Sequence, residues 1–248
     1  MLTPRFYAPA LRPDSGSVAL PVEEALHLTR VLRLGVGAIV HVFDGEGHEY
    51  RARVVHAERA DVRLDVEAPV EPAPEPRVRV TLAQAVVKGD KMDDCIRDAA
   101  MLGVAAVQPL LTERTEVPES AFATGGRLER WSRIAISSVK QCGRAVVPVV
   151  SAPESLDACL RRGFSGLRIM LAEPGAADDA MTGEALRALG PPAAALVLVG
   201  PEGGWAPEEV AMARGAGCRL VTLGQRTLRA DAVPLIALGV LQFLWGDL

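Results

Sequence analysis

Three loops in the last third of the chain carry the residues that could do chemistry. They are LAEPG at 171–175, GPEGG at 200–204 and LGQRTLRAD at 223–231. Each loop follows an apolar run that reads as a strand. Gly200, Gly203 and Gly204 remove side chains where the backbone passes close to a neighbour. That neighbour is either a ligand or another part of a tight structural turn.

The GPEGG loop does not fit a phosphate site. No GK[ST] follows its glycines, as a Walker motif requires, and the spacing is not the GxGxxG of a dinucleotide-binding turn. Glu202 would also repel a pyrophosphate. The loop therefore suits a neutral or cationic ligand better than a polyphosphate.

Cysteine, histidine and metal chemistry are not expected near these loops. The cysteines, Cys95, Cys142, Cys159 and Cys218, form no CxxC pair and are expected to be reduced core thiols. All histidines lie between His27 and His56, so a histidine triad or histidine-based zinc site cannot form in the C-terminal part.

Strands alternate with helices in the larger, C-terminal part of the chain. RVTLAQAVV, VAAVQPLL, VVPVV, LRIMLAEP, AALVLVG and RLVTLG read as strands, and KMDDCIRDAAMLG, GRLERWSRIAISSVKQCGR and PESLDACLRRG read as helices. Near-continuous apolar strands between helices are typical of a parallel sheet buried on both faces. Ligands of α/β sheets bind where the carboxyl ends of strands meet, and the three loops are expected there.

The first part of the chain has a different pattern. AIVHVFDGEGHEYRARVV alternates polar and apolar residues around Asp44–Gly47, which predicts a hairpin, and DVRLDVEA continues the alternation. EEALHLTRVLRL, residues 23–34, predicts a helix with Leu28, Val31 and Leu32 on its buried face. These elements indicate a small β-rich barrel with one helix.

A proline-rich run divides the two patterns. EAPVEPAPEPRV at 67–78 predicts a semi-rigid linker that forms neither helix nor interior strand. We therefore expect a first domain over residues 1–73 and an α/β domain over residues 74–248.

Composition indicates an ordinary globular protein. Hydrophobic residues make up 49% and charged residues 23% of the 248, and the whole net charge of −4 arises within residues 1–76, which hold 8 Arg and 12 Asp plus Glu. A net charge of −4 does not by itself indicate a nucleic-acid binder. However, 24 of the 27 basic residues are Arg, which can bind phosphates through two hydrogen bonds. The chain has no membrane-length apolar run and no secretory signal, so we expect a cytoplasmic protein.

Ordered motifs along nearly the whole chain resemble one family. GPEGGWAPEEV, LGQRTLRADAVPLIAL, KGDKMDDCIRDAAMLGV and ERWSRIAISSVKQCGR are similar to the bacterial 16S ribosomal RNA uracil-N3 methyltransferases, the RsmE family of the SPOUT superfamily. RFY, HLTRVLRL and VFDGEGHEY match its opening domain in order. The resemblance implies a PUA-like β-barrel that helps hold RNA and a SPOUT domain with a trefoil knot and mostly parallel sheet. It also implies a homodimer that binds S-adenosylmethionine in a bent shape.

The resemblance also implies where S-adenosylmethionine binds. Apolar walls and exposed backbone amides would contact its adenine and ribose, and its cationic sulfur carries no phosphate for an Arg to grip. Glu202 would either fix its loop through backbone amides or place negative charge near the cofactor. The expected cofactor residues are Leu171, Ala172, Glu173, Val199, Gly200, Pro201, Glu202, Gly203, Gly204, Leu223, Gly224, Thr227 and Leu228.

The implied reaction transfers a methyl group to N3 of a uridine in 16S rRNA. The nitrogen, methyl carbon and sulfur must lie in line, and negative charge spreads onto uracil O2 and O4 when the N3 proton leaves. Arg229 first, and Arg226 second, would stabilise that charge. Asp231 would either accept the proton or cap the final helix, and we favour the cap.

RNA contacts are expected from polar residues in family-like segments. The candidates are Arg5, Arg30 and Arg33 in the first domain and Lys88, Lys91, Gln141 and Arg144 in the second, each of which could equally be a solvated polar group. A paired uridine must be turned out of its helix to react. Tyr7 and Trp205 could stack on it, although core packing is the expected role of both. The RNA would be free 16S rRNA or part of the 30S subunit.

Three residues depart from the family pattern. Lys140 stands where Glu is common, Ala206 where a hydroxyl residue precedes the proline, and Asp231 where Glu is frequent. Losing the N-cap oxygen at Ala206 costs about 1 kcal/mol of local stability. Lys140 and Asp231 leave open which groups handle the proton.

Two other function classes stay open. One is a non-catalytic RNA-binding protein, which the β-rich domain suggests. The other is a nucleotide-dependent oxidoreductase, which would need a glycine-rich turn after its first strand, where VTLAQAVVKGDK has none.

Overall fold

The structure is a computed structural model that describes residues 3–175 and 180–248. The chain forms two compact units. The first holds residues up to Glu75 together with Ile136–Val147, and the second holds Pro76–Ala135 and Pro148–Leu248. Each unit has its own sheet and its own apolar core.

The first unit is built on a five-stranded sheet. Its strands are β1 (Arg5–Tyr7), β2 (Ser17–Ala19), β3 (Ile39–Phe43), β4 (Glu49–Glu58) and β5 (Asp61–Val70). Their order is β1-β3-β4-β5-β2, with β1 parallel to β3 and the other neighbours antiparallel. Alternate residues of these strands, such as Phe6, Val40 and Leu64, are fully buried in one core.

The predicted hairpin joins β3 to β4. Gly45 and Gly47 have φ of 87° and 113°, the left-handed region that glycine adopts without strain. The Asp44 carboxylate accepts from the backbone N–H groups of Glu46 and His48, at 2.7 and 3.1 Å, and lies 2.6 Å from His48 Nδ1. Burial raises the pKa of Asp44, but these hydrogen bonds outweigh it and hold the pKa below its ordinary value.

The helix predicted over residues 23–34 is only partly correct. An α-helix, α1 (Val22–Leu26), continues into a π-helical turn at His27–Val31, where the Leu32 N–H donates to the His27 carbonyl. A π turn holds more residues than an α turn, so the 3.6-residue spacing fails beyond this point. Leu28 is buried, but Val31 and Leu32 are 65% and 39% exposed, contrary to the prediction.

The segment 136–147 packs into the first unit through arginines. All five Arg5 donors are used within this unit: they bind the Glu49 carboxylate and three main-chain carbonyls, those of Val139, Lys140 and Arg144. The Arg144 guanidinium is almost fully buried and binds the Glu75 carboxylate through Nε and Nη2. These guanidinium groups tie the segment to the sheet.

Lys140 is also a structural residue of the first unit. Its Nζ lies 2.9 and 2.7 Å from the two carboxylate oxygens of Glu24 and 5.3 Å from the ring centre of Phe6. Glu24 also accepts from the Tyr7 backbone N–H at 3.3 Å. The departure at Lys140 therefore has a local ion-pairing partner within this unit.

The predicted linker is shorter and more firmly held than expected. β5 continues to Val70, with Pro69 opposite Tyr50 of β4. Strand β2 pairs with β5 only at Arg63–Asp65, so the later residues of β5 lie at the edge of the sheet on that side. A proline is tolerated at such an edge because no neighbouring strand needs the N–H donor that proline lacks. Farther along, the Ala73 N–H donates to the Gly143 carbonyl at 2.9 Å.

The second unit confirms the predicted parallel α/β sheet. Its strands are β6 (Arg79–Ala85), β7 (Ala106–Leu111), β8 (Val149–Val150), β9 (Glu154–Ser155), β10 (Leu167–Leu171), β11 (Ala194–Val199) and β12 (Arg219–Val221). The order is β12-β10-β11-β6-β7-β8, β9 also pairs with β7, and the pairs between these strands are parallel.

Helices cover both faces of this sheet. They are α2 (Lys91–Met101), α3 (Gly126–Cys142), α4 (Leu156–Arg161), α5 (Gly183–Ala188), α6 (Pro207–Gly215) and α7 (Val233–Trp245), with a 3₁₀ turn at Glu119–Phe122. Val197 packs with Ile96 of α2 and Leu238 of α7 in one core, while Leu198 packs with Leu160 and Ala213 in the other. In the described ranges, no helix combines the length and the apolar character needed to cross a membrane.

A candidate cofactor cavity at the carboxyl edge of the parallel sheet

A cavity of about 240 Å³ lies where the three chemically suggestive loops meet. β12, β10 and β11 are adjacent and parallel, so the loops that follow Val221, Leu171 and Val199 leave the sheet at the same edge. Neighbouring strands thus bring together three segments that are far apart in sequence.

Most of the predicted cofactor residues line this cavity. All of them except Gly203 and Gly224 do so, and so do the predicted catalytic residues Arg226, Arg229 and Asp231. Five further lining residues were not predicted for the cofactor: Lys91, which was predicted as an RNA contact, and Pro174, Trp205, Ala230 and Val233.

The glycines of the GPEGG loop lie in close contact with other parts of the protein. A Cβ added to Gly200 would lie 3.2 Å from the Trp205 indole, and one on Gly203 would lie 3.1 Å from Arg114 Cβ. Gly204 has φ of 68°, and a Cβ there would meet the Glu173 carboxylate at 2.9 Å. The structural-turn interpretation therefore accounts for these glycines without a ligand.

Trp205 links two walls of the cavity. Its Nε1–H donates to the Leu171 carbonyl at the end of β10, over 2.8 Å. The ring packs against the core on the α4 and α6 side of the sheet. Core packing, as expected from the sequence, is combined with a bond that holds the loop after β11 beside the end of β10.

Glu202 is tied down by donors from the start of α2. Its Oε1 accepts from the Lys88 backbone N–H at 3.1 Å and from Lys91 Nζ at 3.0 Å. Burial raises the pKa of Glu202, but its own backbone, Lys91 and the Lys88 N–H hold the pKa below its ordinary value. Of the two roles open for Glu202, fixing the loop is the one that these contacts support.

Arg229 and Asp231 form a pair at the cavity. Arg229 Nε and Nη2 donate to the two Asp231 oxygens at 3.1 and 2.8 Å, while the Arg229 side chain stays 74% exposed. Burial raises the pKa of Asp231, but the hydrogen bond from Arg229, a backbone hydrogen bond and the charges of Arg229 and Lys91 together outweigh it and leave the pKa lowered. Arg226 is exposed and makes no hydrogen bond or ion pair with the residues that the structure describes.

The predicted helix cap at Asp231 is wrong. The N-cap of α7 is Ala232, which has no side-chain cap, and the Asp231 carboxylate is engaged by Arg229 instead.

The missing cap oxygen at Ala206 is offset by Glu209. The Glu209 carboxylate, which is buried, accepts from the Ala206 N–H at 2.9 Å and from the Glu113 N–H at 2.9 Å. This is half of a capping box, and it also fastens the loop after β7 to the start of α6.

The predicted RNA contacts fall into three groups. Arg5 and Arg144 have their donors committed inside the first unit, so their geometry does not favour RNA binding. Arg30, Arg33, Lys88 and Gln141 are exposed, although Lys88 Nζ pairs with Glu116. Lys91 lies in the cavity because β6, which precedes α2, is the neighbour of β11 in the sheet. Predicting Lys91 in the cavity would have required the strand order, which the sequence does not reveal.

No metal centre accompanies this cavity in the part of the chain that the structure covers. Within residues 3–175 and 180–248, no group of three His, Cys, Asp or Glu side chains is placed to hold a metal ion. Two ion pairs lie at the cavity instead, Lys91 with Glu202 and Arg229 with Asp231.

Both parts of the chain match known protein families. Residues 74–242 match the family described as RNA methyltransferase domain, and residues 20–67 match RNA methyltransferase PUA domain. The ribosomal RNA small subunit methyltransferase E of Synechocystis sp. is 34% identical over 228 residues, which are 92% of this chain and 73% of that protein.

Two solved structures are similar over 98% of both chains. A Legionella pneumophila protein described as a methyltransferase, in complex with the cofactor SAM, has 30% identity and a TM-score of 0.89. The ribosomal RNA small subunit methyltransferase E from Neisseria gonorrhoeae, bound to S-adenosyl methionine, has 32% identity and a TM-score of 0.88. The chain belongs to the ribosomal RNA small subunit methyltransferase E family.

Proposed function

We propose that this chain transfers a methyl group from S-adenosylmethionine to N3 of a uridine in 16S rRNA. The cavity between the three loops carries the proposal, because it lies at the sheet edge where α/β proteins bind ligands. Two similar proteins were solved with S-adenosylmethionine bound, and the relatives are named as small-subunit rRNA methyltransferases. Uracil N3 as the target follows from the motif resemblance.

The residues present fit S-adenosylmethionine. Leu171, Val199, Leu223 and Leu228 give the cavity apolar walls that suit an adenine ring, and the cavity is close to the lower end of the roughly 300–1,000 Å³ typical of small-molecule sites. Three carboxylates and three cations line it together, so it lacks the excess positive charge that a polyphosphate needs. The predicted cofactor residues that line the cavity would hold the molecule.

Arg229 and Arg226 would act on the uracil. When bound, S-adenosylmethionine supplies an activated methyl group on a cationic sulfur, which becomes neutral as the methyl leaves. Negative charge on uracil O2 and O4 then needs a nearby cation, and Arg229 is oriented for this by its two bonds to Asp231. A carboxylate with a lowered pKa is a weak base, so we assign Asp231 to holding Arg229 rather than to accepting the N3 proton.

The first domain, residues 1–73, would hold RNA for the methyltransferase domain, residues 74–248. Arg30 and Arg33 are exposed beside the exposed apolar side chains Val31 and Leu32, a combination that suits phosphate and base contact. Replacing Arg30 and Arg33 with Ala should weaken rRNA binding and reduce its salt dependence, with S-adenosylmethionine binding unchanged. Arg63→Ala in the same unit is the matched control.

A homodimer is part of this proposal. α7 presents Leu235, Ile236, Val240 and Phe243 to solvent, with Phe243 62% exposed. A second copy would cover this apolar face, in line with the homodimer implied by the resemblance. Light scattering of Phe243→Asp should then give a monomer where the wild type gives a dimer. The trefoil knot, the 30S subunit as the substrate and a cytoplasmic location complete the proposal.

Methylation of defined RNA tests the proposed function. Purified protein, S-adenosylmethionine with an isotope-labelled methyl group, and either 30S subunits or naked 16S rRNA from a strain lacking this activity would be combined. Nucleoside mass spectrometry should find labelled 3-methyluridine, and the Arg229→Ala protein should produce far less. Label in another nucleoside would refute N3 specificity, and absence of label from both RNAs would refute the activity.

A further inference from the structure

Lys91 occupies a position that helix stability does not explain. It is the first residue of α2, where the helix dipole places partial positive charge and a cation is unfavourable. The Asp90 side chain does not cap this helix and pairs with Arg130 instead. A role for Lys91 must therefore be sought in the cavity that it lines.

Lys91 lies near carboxylates of two different loops. Its Nζ is 3.0 Å from Glu202 Oε1, in the loop after β11, and its charge also acts on Asp231, in the loop after β12. The Asp231 carboxylate already has Arg229 as a partner. For Glu202, Lys91 is the cation that balances its charge, and the Lys88 N–H adds a neutral hydrogen bond to the same oxygen.

The pairing of Glu202 with Lys91 matters if the ligand is S-adenosylmethionine, whose positive charge disappears during the reaction. This part of the inference rests on the proposed function. The bond from uracil N3 to the methyl carbon forms as the carbon–sulfur bond breaks, and the bonding pair stays on sulfur, which becomes neutral. The N3 proton passes to water. A negative charge near sulfur therefore stabilises the bound donor more than the transition state, which slows transfer.

We propose that Lys91 is a positioning residue that neutralises and holds Glu202, and that it thereby limits how strongly the cavity prefers the cationic donor over the neutral product, S-adenosylhomocysteine. An unpaired Glu202 would attract the sulfonium and leave the product comparatively weakly bound. With Lys91 in place, the pair presents no net charge to either ligand.

Calorimetry of the full-length protein without RNA tests this proposal. The dissociation constants of S-adenosylmethionine and S-adenosylhomocysteine would be measured for each variant. Lys91→Met should increase the preference for S-adenosylmethionine by about three- to tenfold, the range for one unpaired charge acting through a partly solvated site. Glu202→Gln should decrease it, and Lys91→Met combined with Glu202→Gln should return it to near the wild-type value.

Controls separate this role from a general structural one. Lys91→Arg keeps the charge and should keep the preference, and Arg97→Met removes a cation of the same helix that pairs with Asp94 and should not change it. In turnover, Lys91→Met should lower both kcat and the KM for the donor, the signature of a ground state that is bound too well.

Two results would overturn the inference. One is a Lys91→Met protein that loses affinity for both ligands equally, which would make Lys91 a structural residue only. The other is an unchanged preference in Glu202→Gln, a variant that keeps the test valid if Lys91→Met fails to fold. A wild-type protein that binds neither ligand would instead refute the proposed function itself.

Discussion

Replacing Lys140 with Glu should destabilise the first unit, because it places two carboxylates together. The Lys140 and Glu24 side chains are 18% and 13% exposed, so water screens their ion pair only in part. Breaking a fully buried pair costs about 3–5 kcal/mol, and the remaining exposure reduces this to about 2 kcal/mol for Lys140→Met. Like charges about 4 Å apart repel by about 4 kcal/mol at an effective dielectric constant near 20. Since Glu24 can rotate or bind a proton, we expect Lys140→Glu to cost about 3–4 kcal/mol in total.

Hydrogen exchange read by mass spectrometry measures this effect locally. Faster exchange is expected in Arg5–Tyr7, because Glu24 accepts the Tyr7 N–H, and in the segment 136–142. The tryptophans, Trp131, Trp205 and Trp245, lie in the second unit, so urea unfolding followed by their fluorescence reports that unit separately. The charge-swapped protein, Glu24→Lys with Lys140→Glu, should recover most of the protection. Wild-type exchange in Lys140→Glu, or no recovery in the swapped protein, would refute the reasoning.

Four further outcomes are expected. Gly200→Ala should displace the Trp205 indole, which lowers the free energy of unfolding in urea by about 1–3 kcal/mol and weakens donor binding. Gly215→Ala, with open space around its added Cβ, should change neither quantity. Glu209→Ala should cost about 2–4 kcal/mol in the same assay because one buried and one part-buried N–H group lose their acceptor, and a cost as small as that of the exposed Glu208→Ala would contradict this. Arg229→Ala should lower turnover by about 100-fold with donor affinity unchanged, and near-normal turnover would disprove its assignment. Because the folded pKa of Asp44 is lowered, its contribution to stability is complete above the ordinary value of 3.8 and is lost as the pH falls below it; Asp44→Asn should show a flatter decline of Tm between pH 5 and pH 2.5 than the wild type.

Local patterns predicted the parallel sheet because a strand buried on both faces must be apolar at nearly every position. Val197 and Leu198 show this directly, since each packs in a different core. Strand order is not contained in such patterns, because it depends on which strands pair across long stretches of chain. The presence of Lys91 in the cavity follows from the pairing of β6 with β11, which local patterns do not reveal, so Lys91 was predicted only as an RNA contact.

Charged residues were harder to place than apolar ones. Arg5 was predicted to face RNA, yet its donors bind carbonyls about 135 residues away in the chain, at Lys140 and its neighbours. Nothing in the local sequence distinguishes a solvated Arg from one that holds a buried segment. The helix over 23–34 failed for a different reason, since a π-helical turn shifts the faces without any proline or glycine to signal it.

The GPEGG motif predicted where the site lies but not why the loop contains glycines. The spacing argued against a phosphate motif and drew attention to the place where the cavity lies. The reason for the glycines became clear only with Trp205, Arg114 and Glu173 in place, because each lies 2.9–3.2 Å from where a Cβ would stand. The motif thus located the site, whereas only the side-chain contacts explained why the loop contains glycines.

A crystal structure of this protein with S-adenosylmethionine tests the central claim most directly. We expect density for the whole molecule in the cavity bounded by Leu171, Gly200 and Leu228, with adenine against the apolar wall. Density for the donor at another place on the protein, with this cavity filled by water alone, would contradict it.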